Sequence, residues 1–274
     1  MSFLILLILS IVQGATEFLP VSSSGHLVLL YRIFGVEGNL IFLSVLLHLA
    51  TLCSVVFVYR KDILKLIKKP FNNLTLCLVI STLVTLPIVF FLLKPIENSF
   101  SGGTLMWGFL ITAIVLIVSE TLTKSSKGDK QVSGGGDNIS IEENSVTKKQ
   151  AVAMGVAQGL AGFPGISRSG ATISTGLMTG VKKEFVANYS FLMSIPIIIA
   201  SMLYELYKYF NTQAPLGFST VELIASFIIT FIIGVLCIKV MLKFIKKQKL
   251  YFFSFYLVAL VLFIIINDNL LFWF

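Results

Sequence analysis

The chain of 274 residues is 56% hydrophobic and only 12% charged, with a mean hydropathy of +0.94, against roughly 25% charged residues in soluble domains. That balance excludes a soluble globular protein, because no soluble core accommodates so many apolar runs of bilayer length, and leaves a polytopic membrane protein. The net charge of +8 must then be sorted by location before it says anything about partners.

Residues 1–34 hold two short apolar runs broken by Gln13-Gly14, Glu17-Phe18, Pro20 and Ser22-Ser23-Ser24-Gly25-His26. Runs of about 11 residues reach about 16 Å, half of a hydrocarbon core, so the region reads as a re-entrant hairpin. Met1-Ser2-Phe3 carries no basic n-region and no small-residue cleavage site follows, so no cleavable signal peptide is expected. Spans at 40–59, 74–93 and 104–122 complete a first repeat over 1–123. The stretch 124–148, with Ser125-Ser126, Gly134-Gly135-Gly136 and mixed charges, reads as a flexible cytoplasmic linker without chemistry. Residues 150–182 form a second broken hairpin, and spans at 187–206, 219–241 and 251–271 complete a second repeat over 149–274. The expected fold class is an all-α polytopic membrane protein with an inverted-topology repeat, each half one re-entrant helical hairpin plus three transmembrane helices. Three is odd, so two re-entrant hairpins require the halves to be inserted upside down relative to one another.

Charge placement agrees. Of the 21 Lys and Arg, 17 fall on one side, in the groups 60–69, 124–149, 182–183 and 239–249, while Arg32, Lys94, Lys208 and Arg168 do not. The positive-inside rule puts the 17 in the cytoplasm, with the C-terminus outside. The charge is thus topology and not a nucleic-acid footprint. Cys53, Cys77 and Cys237 lie in apolar runs without metal-ligand spacing and read as small buried hydrophobes. Pro87 and Pro196 fall inside spans and are expected to kink them. Glu97, Glu142, Glu143 and Asp268 are expected in solvated loops.

The two broken hairpins carry one signature. Gln13-Gly14, Phe18 and Ser22-Ser23-Ser24-Gly25 are matched 145 residues later by Gln158-Gly159, Phe163 and Ser167-Arg168-Ser169-Gly170. Only the prolines, Pro20 and Pro164, are out of step, by one residue. A Ser-x-Ser-Gly turn opening a short helix directs backbone N–H groups and a favourable dipole at an anion, and glycine lets the backbone approach it. Serine hydroxyls add donors and Arg168 adds a planar fork suited to phosphate oxygens, so two facing turns suit a phosphate or diphosphate. Helix capping accounts for one serine per turn, though not for the cluster.

Glu17 and Arg168 are the charged outliers. At membrane depth the pair would cost about 5–7 kcal/mol before compensation. A structural ion pair between the hairpins is one account of it; a catalytic pair is the other, and the surrounding hydroxyls favour it. Glu17 would repel a bare polyanion, and makes sense beside a divalent cation or as an acid/base. His26 is placed either to move a proton or to cap its own turn. His48, in an apolar run, reads as a buried hydrogen-bonded histidine.

On these residues the chain resembles the undecaprenyl-diphosphate phosphatase family, integral-membrane enzymes linked to bacitracin resistance. The segments Gly14–His26 and Pro164–Thr172 match its two motifs, and the resemblance covers essentially the whole chain. It implies hydrolysis of undecaprenyl diphosphate to undecaprenyl phosphate and inorganic phosphate, recycling the lipid carrier for peptidoglycan synthesis, in a pocket facing outward. It implies Glu17, Ser23, His26 and Arg168 as catalytic residues, with Ser22, Ser24, Gly25, Ser167, Ser169, Gly170 and Thr172 binding the diphosphate. The implied cofactor is a divalent cation, Mg²⁺ or alternatively Ca²⁺, held by Glu17 and by Gln13, which stands where many members carry glutamate. The implied partners are a polyprenyl diphosphate and the bilayer, with a homodimer allowed and no nucleic acid. A polyprenyl-phosphate transporter or flippase is the alternative, since broken hairpins in inverted repeats are a transporter plan. The other membrane phosphatase type is disfavoured, because Ser167-Arg168 is followed after five residues by Ser174 where a histidine is needed.

Overall fold

Both broken regions fold as pairs of short helices in one register. In the computed structural model, which describes residues 3–36, 40–101, 103–125, 145–212, 218–246 and 250–268, α1 (Phe3–Thr16) and α2 (Ser23–Ile33) form the first pair. The second pair is α7 (Lys148–Leu160) and α8 (Arg168–Met178). Lys148 stands 145 residues after Phe3, and Arg168 stands 145 after Ser23, so both pairs keep the offset of the motif. The longest of the four has 14 residues, about 21 Å, so none crosses a hydrocarbon core of about 30 Å.

Five further helices are long and apolar enough to cross a membrane: α3 (Ile41–Val58), α5 (Asn73–Ser99), α6 (Leu105–Ser125), α9 (Lys183–Thr212) and α10 (Thr220–Lys246). α11 (Tyr251–Ile266) is a shorter apolar helix of 16 residues, and the end of the sixth expected span, 269–271, lies outside the described residues. So does most of the expected linker, 126–144. Among the described residues the chain is all helical. α5 and α9 run farther than their expected spans, and Pro87, Pro95 and Pro196 are accommodated inside them.

Two elements depart from the sequence reading. Arg60–Lys68 forms a short helix, α4, within a basic group to which the sequence reading assigned no element; Ile63 and Leu66 pack against the core while the lysines lie outward. Glu97 is not in a solvated loop. α5 continues past it, and its carboxylate accepts from Lys208 Nζ at 2.7 Å and Tyr204 Oη at 2.9 Å on the extended α9.

The halves interlock by exchange. α1 packs on α10 of the second half, and α7 packs on α5 of the first; α3 meets α9, and α6 meets α11. Small residues permit the close approach. A Cβ on Gly14 would lie 3.0 Å from Ile233 Cβ, and one on Gly159 would lie 2.8 Å from Ile88 Cβ. Thr230 Oγ1 donates to the Ser10 carbonyl at 3.0 Å, and Thr85 Oγ1 donates to the Gly155 carbonyl at 2.9 Å. In each case the paired contacts are related by the same 145-residue offset.

Candidate functional site

The two helical pairs break where the sequence carries its serines, and each second helix starts with the same cap. Ser22 Oγ accepts the N–H of Gly25 at 3.3 Å, and Ser167 Oγ accepts the N–H of Gly170 at 3.0 Å. Each capping hydroxyl also meets the hydroxyl two residues on, Ser24 at 3.4 Å and Ser169 at 3.2 Å. Capping satisfies donors that a helix start otherwise leaves orphaned.

The displaced prolines have a physical account. In the second turn Pro164 precedes Gly165 at φ 88°, and the Ile166 N–H reaches the Phe163 carbonyl at 3.0 Å. That is a Pro-Gly turn with the positive φ at its third position. In the first turn Pro20 sits at the centre of a tighter loop, in which the Val21 N–H reaches the Leu19 carbonyl at 2.8 Å. The positive φ is deferred to Ser22, at 69°. Shifting the proline by one residue therefore moves the left-handed residue along the turn while keeping the cap.

The turns face and hold one another. The Gly165 N–H donates to Ser22 Oγ at 3.1 Å, and Ser169 Oγ donates to the Leu19 carbonyl at 2.9 Å. Thr112 on α6 fixes the second turn, donating to the Gly165 carbonyl at 2.9 Å and accepting the Ser167 N–H at 3.0 Å. Gly108, one helical turn earlier, has room for no side chain: its Cβ would lie 2.3 Å from the Pro164 carbonyl oxygen.

At this junction Glu17 is almost fully buried and its two oxygens divide the work. Oε1 pairs with Arg168, which opens α8. Oε2 accepts from Ser23 Oγ at 2.6 Å and from Gln13 Nε2 at 3.0 Å. Glu17 and Arg168 line one narrow cleft together with Phe18, Ser169 and three α9 residues, Ser190, Phe191 and Ser194. The Arg168 side chain as a whole keeps more exposure than that of Glu17, 19% against 4%. A carboxylate fixed by three donors, one of them a hydroxyl and one a guanidinium, can orient a nucleophile and neutralise an incoming anion.

The expected site residues are not equally placed. Glu17, Ser23, Arg168 and Gln13 converge. Gly25 and Gly170 supply cap N–H groups, and a Cβ at Gly25 would strike the Phe109 ring at 2.7 Å. Ser22, Ser167 and Ser169 are engaged in caps and cross-ties, with Ser24 Oγ beside Ser22. Thr172 donates to the Arg168 carbonyl at 2.9 Å and meets Ser190 Oγ at 2.6 Å, bracing the first turn of α8. His26 is turned elsewhere: Nδ1 lies 2.7 Å from the Ser22 carbonyl oxygen and Nε2 lies 2.7 Å from the Tyr256 hydroxyl on α11. His48 meets the Ser44 carbonyl at 2.9 Å, in keeping with a hydrogen-bonded histidine, and approaches Glu205 at 3.9 Å.

Four residues of this neighbourhood carry no motif: Thr112, Ser190, Ser194 and Tyr256. The four-residue spacing of Ser190 and Ser194 inside an apolar run was a usable signal, since it puts both hydroxyls on one helix face. Thr112 and Tyr256 sit singly in apolar runs, and only the fold brings them to the turns.

The donor set for a divalent cation is thin and oxygen-based. Among the described residues no three His, Cys, Asp or Glu side chains converge. Gln13 Oε1, however, is a buried acceptor without a hydrogen-bond partner, on the side chain whose Nε2 touches Glu17. One carboxylate and one amide oxygen fit a hard cation such as Mg²⁺, which takes few protein ligands and completes its shell with water and phosphate oxygens.

Comparison with known proteins adds an independent line. The family model "Bacitracin resistance protein BacA" matches residues 6–263. The undecaprenyl-diphosphatase of Carboxydothermus hydrogenoformans is 39% identical over 252 residues, covering 91% of each chain. That of Alkaliphilus metalliredigens is 36% identical over 272 residues, covering 91% of this chain and 93% of its own. That of Treponema denticola is 35% identical over 274 residues, covering 95% of each.

Proposed function

The chain belongs to the BacA bacitracin resistance family, and from that premise we propose that it is an undecaprenyl-diphosphatase. It hydrolyses undecaprenyl diphosphate to undecaprenyl phosphate and inorganic phosphate, returning the carrier lipid to peptidoglycan synthesis and conferring bacitracin resistance. The observation that carries this reading is the junction of the hairpins, where Glu17 holds Ser23 and Arg168 on its two oxygens beside one cleft. The relatives reported above are named for the same hydrolysis, and nothing in them supports the transporter reading.

The residue types define the steps. Arg168 and the N-termini of α2 and α8 draw in the diphosphate, and their charge acts most strongly where negative charge gathers in the transition state. Ser23 Oγ attacks the terminal phosphorus, and the bond from that phosphorus to the bridging oxygen breaks, releasing undecaprenyl phosphate. The Ser23 proton passes to Glu17 Oε2, already its hydrogen-bond acceptor. In a loose phosphoryl-transfer transition state that transfer is late, so a carboxylate suffices as the acceptor. Water then hydrolyses the phosphoserine, inorganic phosphate leaves and the hydroxyl is restored. Glu17 and Gln13 would hold a divalent cation, Mg²⁺ in this reading, which when bound neutralises phosphate charge.

The membrane arrangement belongs to the same proposal. The exchange of α1 onto α10 and α7 onto α5, with matched contacts at one offset, supports two halves related by inversion around the site. Lys and Arg placement supports a cytoplasmic linker, an outward-facing pocket and an outward C-terminus. The test is direct: protein purified in detergent, with no membrane gradient, is given a polyprenyl diphosphate and released phosphate is measured. Release that disappears in Arg168→Ala supports the reading, whereas full activity in that variant sinks it. Translocation without chemical change would instead favour a carrier.

A further inference from the structure

We propose that Tyr256 is a positioning residue of this site, holding the His26 imidazole in one tautomer so that it braces the Ser22 turn from behind. The proposal rests on the phosphatase reading above and reassigns His26 within it. A carbonyl oxygen only accepts, so the 2.7 Å contact to Ser22 makes Nδ1 the protonated nitrogen. In the neutral ring Nε2 is then the acceptor, and Tyr256 Oη donates to it across 2.7 Å. The tyrosine and imidazole rings lie 8° from parallel with centroids 5.7 Å apart, and Phe109 closes a further side edge-on at 5.4 Å. With both nitrogens held, the ring has no site left for a proton from Ser23 or the leaving phosphate.

What the ring holds is the strained point of the hairpin. Ser22 is the sole non-glycine residue with positive φ among the described residues, a conformation that persists only when its surroundings over-determine it. Its carbonyl is held by His26, and its hydroxyl by the N–H groups of Gly25 and Gly165. The next residue is Ser23, whose hydroxyl meets Glu17 at 2.6 Å. Any rotation of the Ser22 peptide therefore carries Ser23 with it. Tyr256 makes α11, which packs on α6, a strut for the first hairpin as well.

The test uses the purified full chain with a polyprenyl diphosphate. His26→Ala should lose about 100-fold in turnover, the usual scale for a nucleophile displaced by an ångström. His26→Asn, whose amide N–H replaces the Nδ1 donor, should stay within about tenfold of wild type with an unchanged pH profile. Tyr256→Phe should lower kcat by about three- to tenfold with KM unchanged, and should have no further effect on a His26→Asn background, since asparagine has no Nε2. Nitrogen-15 spectra should show the Nδ1–H tautomer of His26 in wild type and a shifted population in Tyr256→Phe. A His26→Asn enzyme as inactive as His26→Ala, or one missing a limb of the pH profile, overturns the proposal in favour of proton transfer by the imidazole. Equal losses from Tyr256→Phe in both backgrounds also overturn it. Wild-type protein that leaves the diphosphate intact would sink the phosphatase reading alone, because the tautomer measurement still tests the strut.

Discussion

Ser23 donates to Glu17 at 2.6 Å on the carboxylate oxygen that Arg168 does not take. One side chain thus carries both the cation and the hydroxyl, and the two can be separated by mutation. Ser23→Ala should lower phosphate release by about 100-fold or more if the hydroxyl attacks phosphorus, while leaving the Glu17–Arg168 pair and the folded state intact. Single-turnover assays with trapping of a phosphorylated enzyme check it. Near-normal turnover would remove serine as nucleophile and leave water in its place.

The ion pair is as much a structural element as a chemical one. Removing one partner of a buried pair strands the other, at a cost of about 3–5 kcal/mol. Arg168→Ala should therefore lower thermal stability in detergent as well as abolish activity. Arg168→Lys should recover stability better than turnover, because an ammonium supplies charge without the planar fork. Parallel recovery of both would mean that charge alone is the requirement.

Gln13 offers a way to test the cation. Its Oε1 is buried without a partner and its Nε2 meets Glu17. Gln13→Glu places a second carboxylate there, so the Mg²⁺ concentration for half-maximal activity should fall by about tenfold. Chelation with EDTA should abolish activity in the parent chain, and added Mg²⁺ should restore it. Activity that survives chelation would leave Arg168 and the helix N-termini as the neutralising groups.

The seam between the turns tolerates no added atoms. Gly165 has φ 88° and its Cβ would lie 2.6 Å from the Leu105 carbonyl oxygen. Gly165→Ala should cost about 1–3 kcal/mol in stability and should reduce activity, because the Gly165 N–H is a ligand of the Ser22 hydroxyl. Gly103→Ala is the control: its Cβ would meet nothing within 4 Å, and stability should be unchanged.

Much of this was legible in the sequence, for identifiable reasons. The matched hairpins were visible because polar residues cannot be scattered through apolar runs without cause, so Gln13, Glu17, Ser23 and Arg168 marked themselves. The serines were read as phosphate donors, yet Ser22 and Ser169 also tie the turns together, and a motif does not reveal which neighbour its hydroxyl will meet. His26 meets the Ser22 carbonyl because its helical position, four residues after Ser22, directs Nδ1 back to that carbonyl. Tyr256 and Thr112 were invisible because each acts across more than 50 residues of sequence. Glu97 was misplaced because α5 runs past its expected end and because Lys208, which pairs with it, lies on an α9 longer than its hydropathy suggested.

The interval of 151 residues between Glu17 and Arg168 also sets a timetable for the making of the protein. At a synthesis rate of about 5–20 residues per second, the carboxylate leaves the ribosome roughly 8–30 s before the guanidinium that will neutralise it. Through that interval the first hairpin has no Gly165 to complete the Ser22 turn, and its charge favours the watery border over the hydrocarbon. Burial of Glu17, the partner of the Ser23 hydroxyl, must therefore await the second hairpin. Assembly of the candidate site and closure of the two halves become a single late event, and a truncated chain carries Ser23 and Glu17 without Arg168.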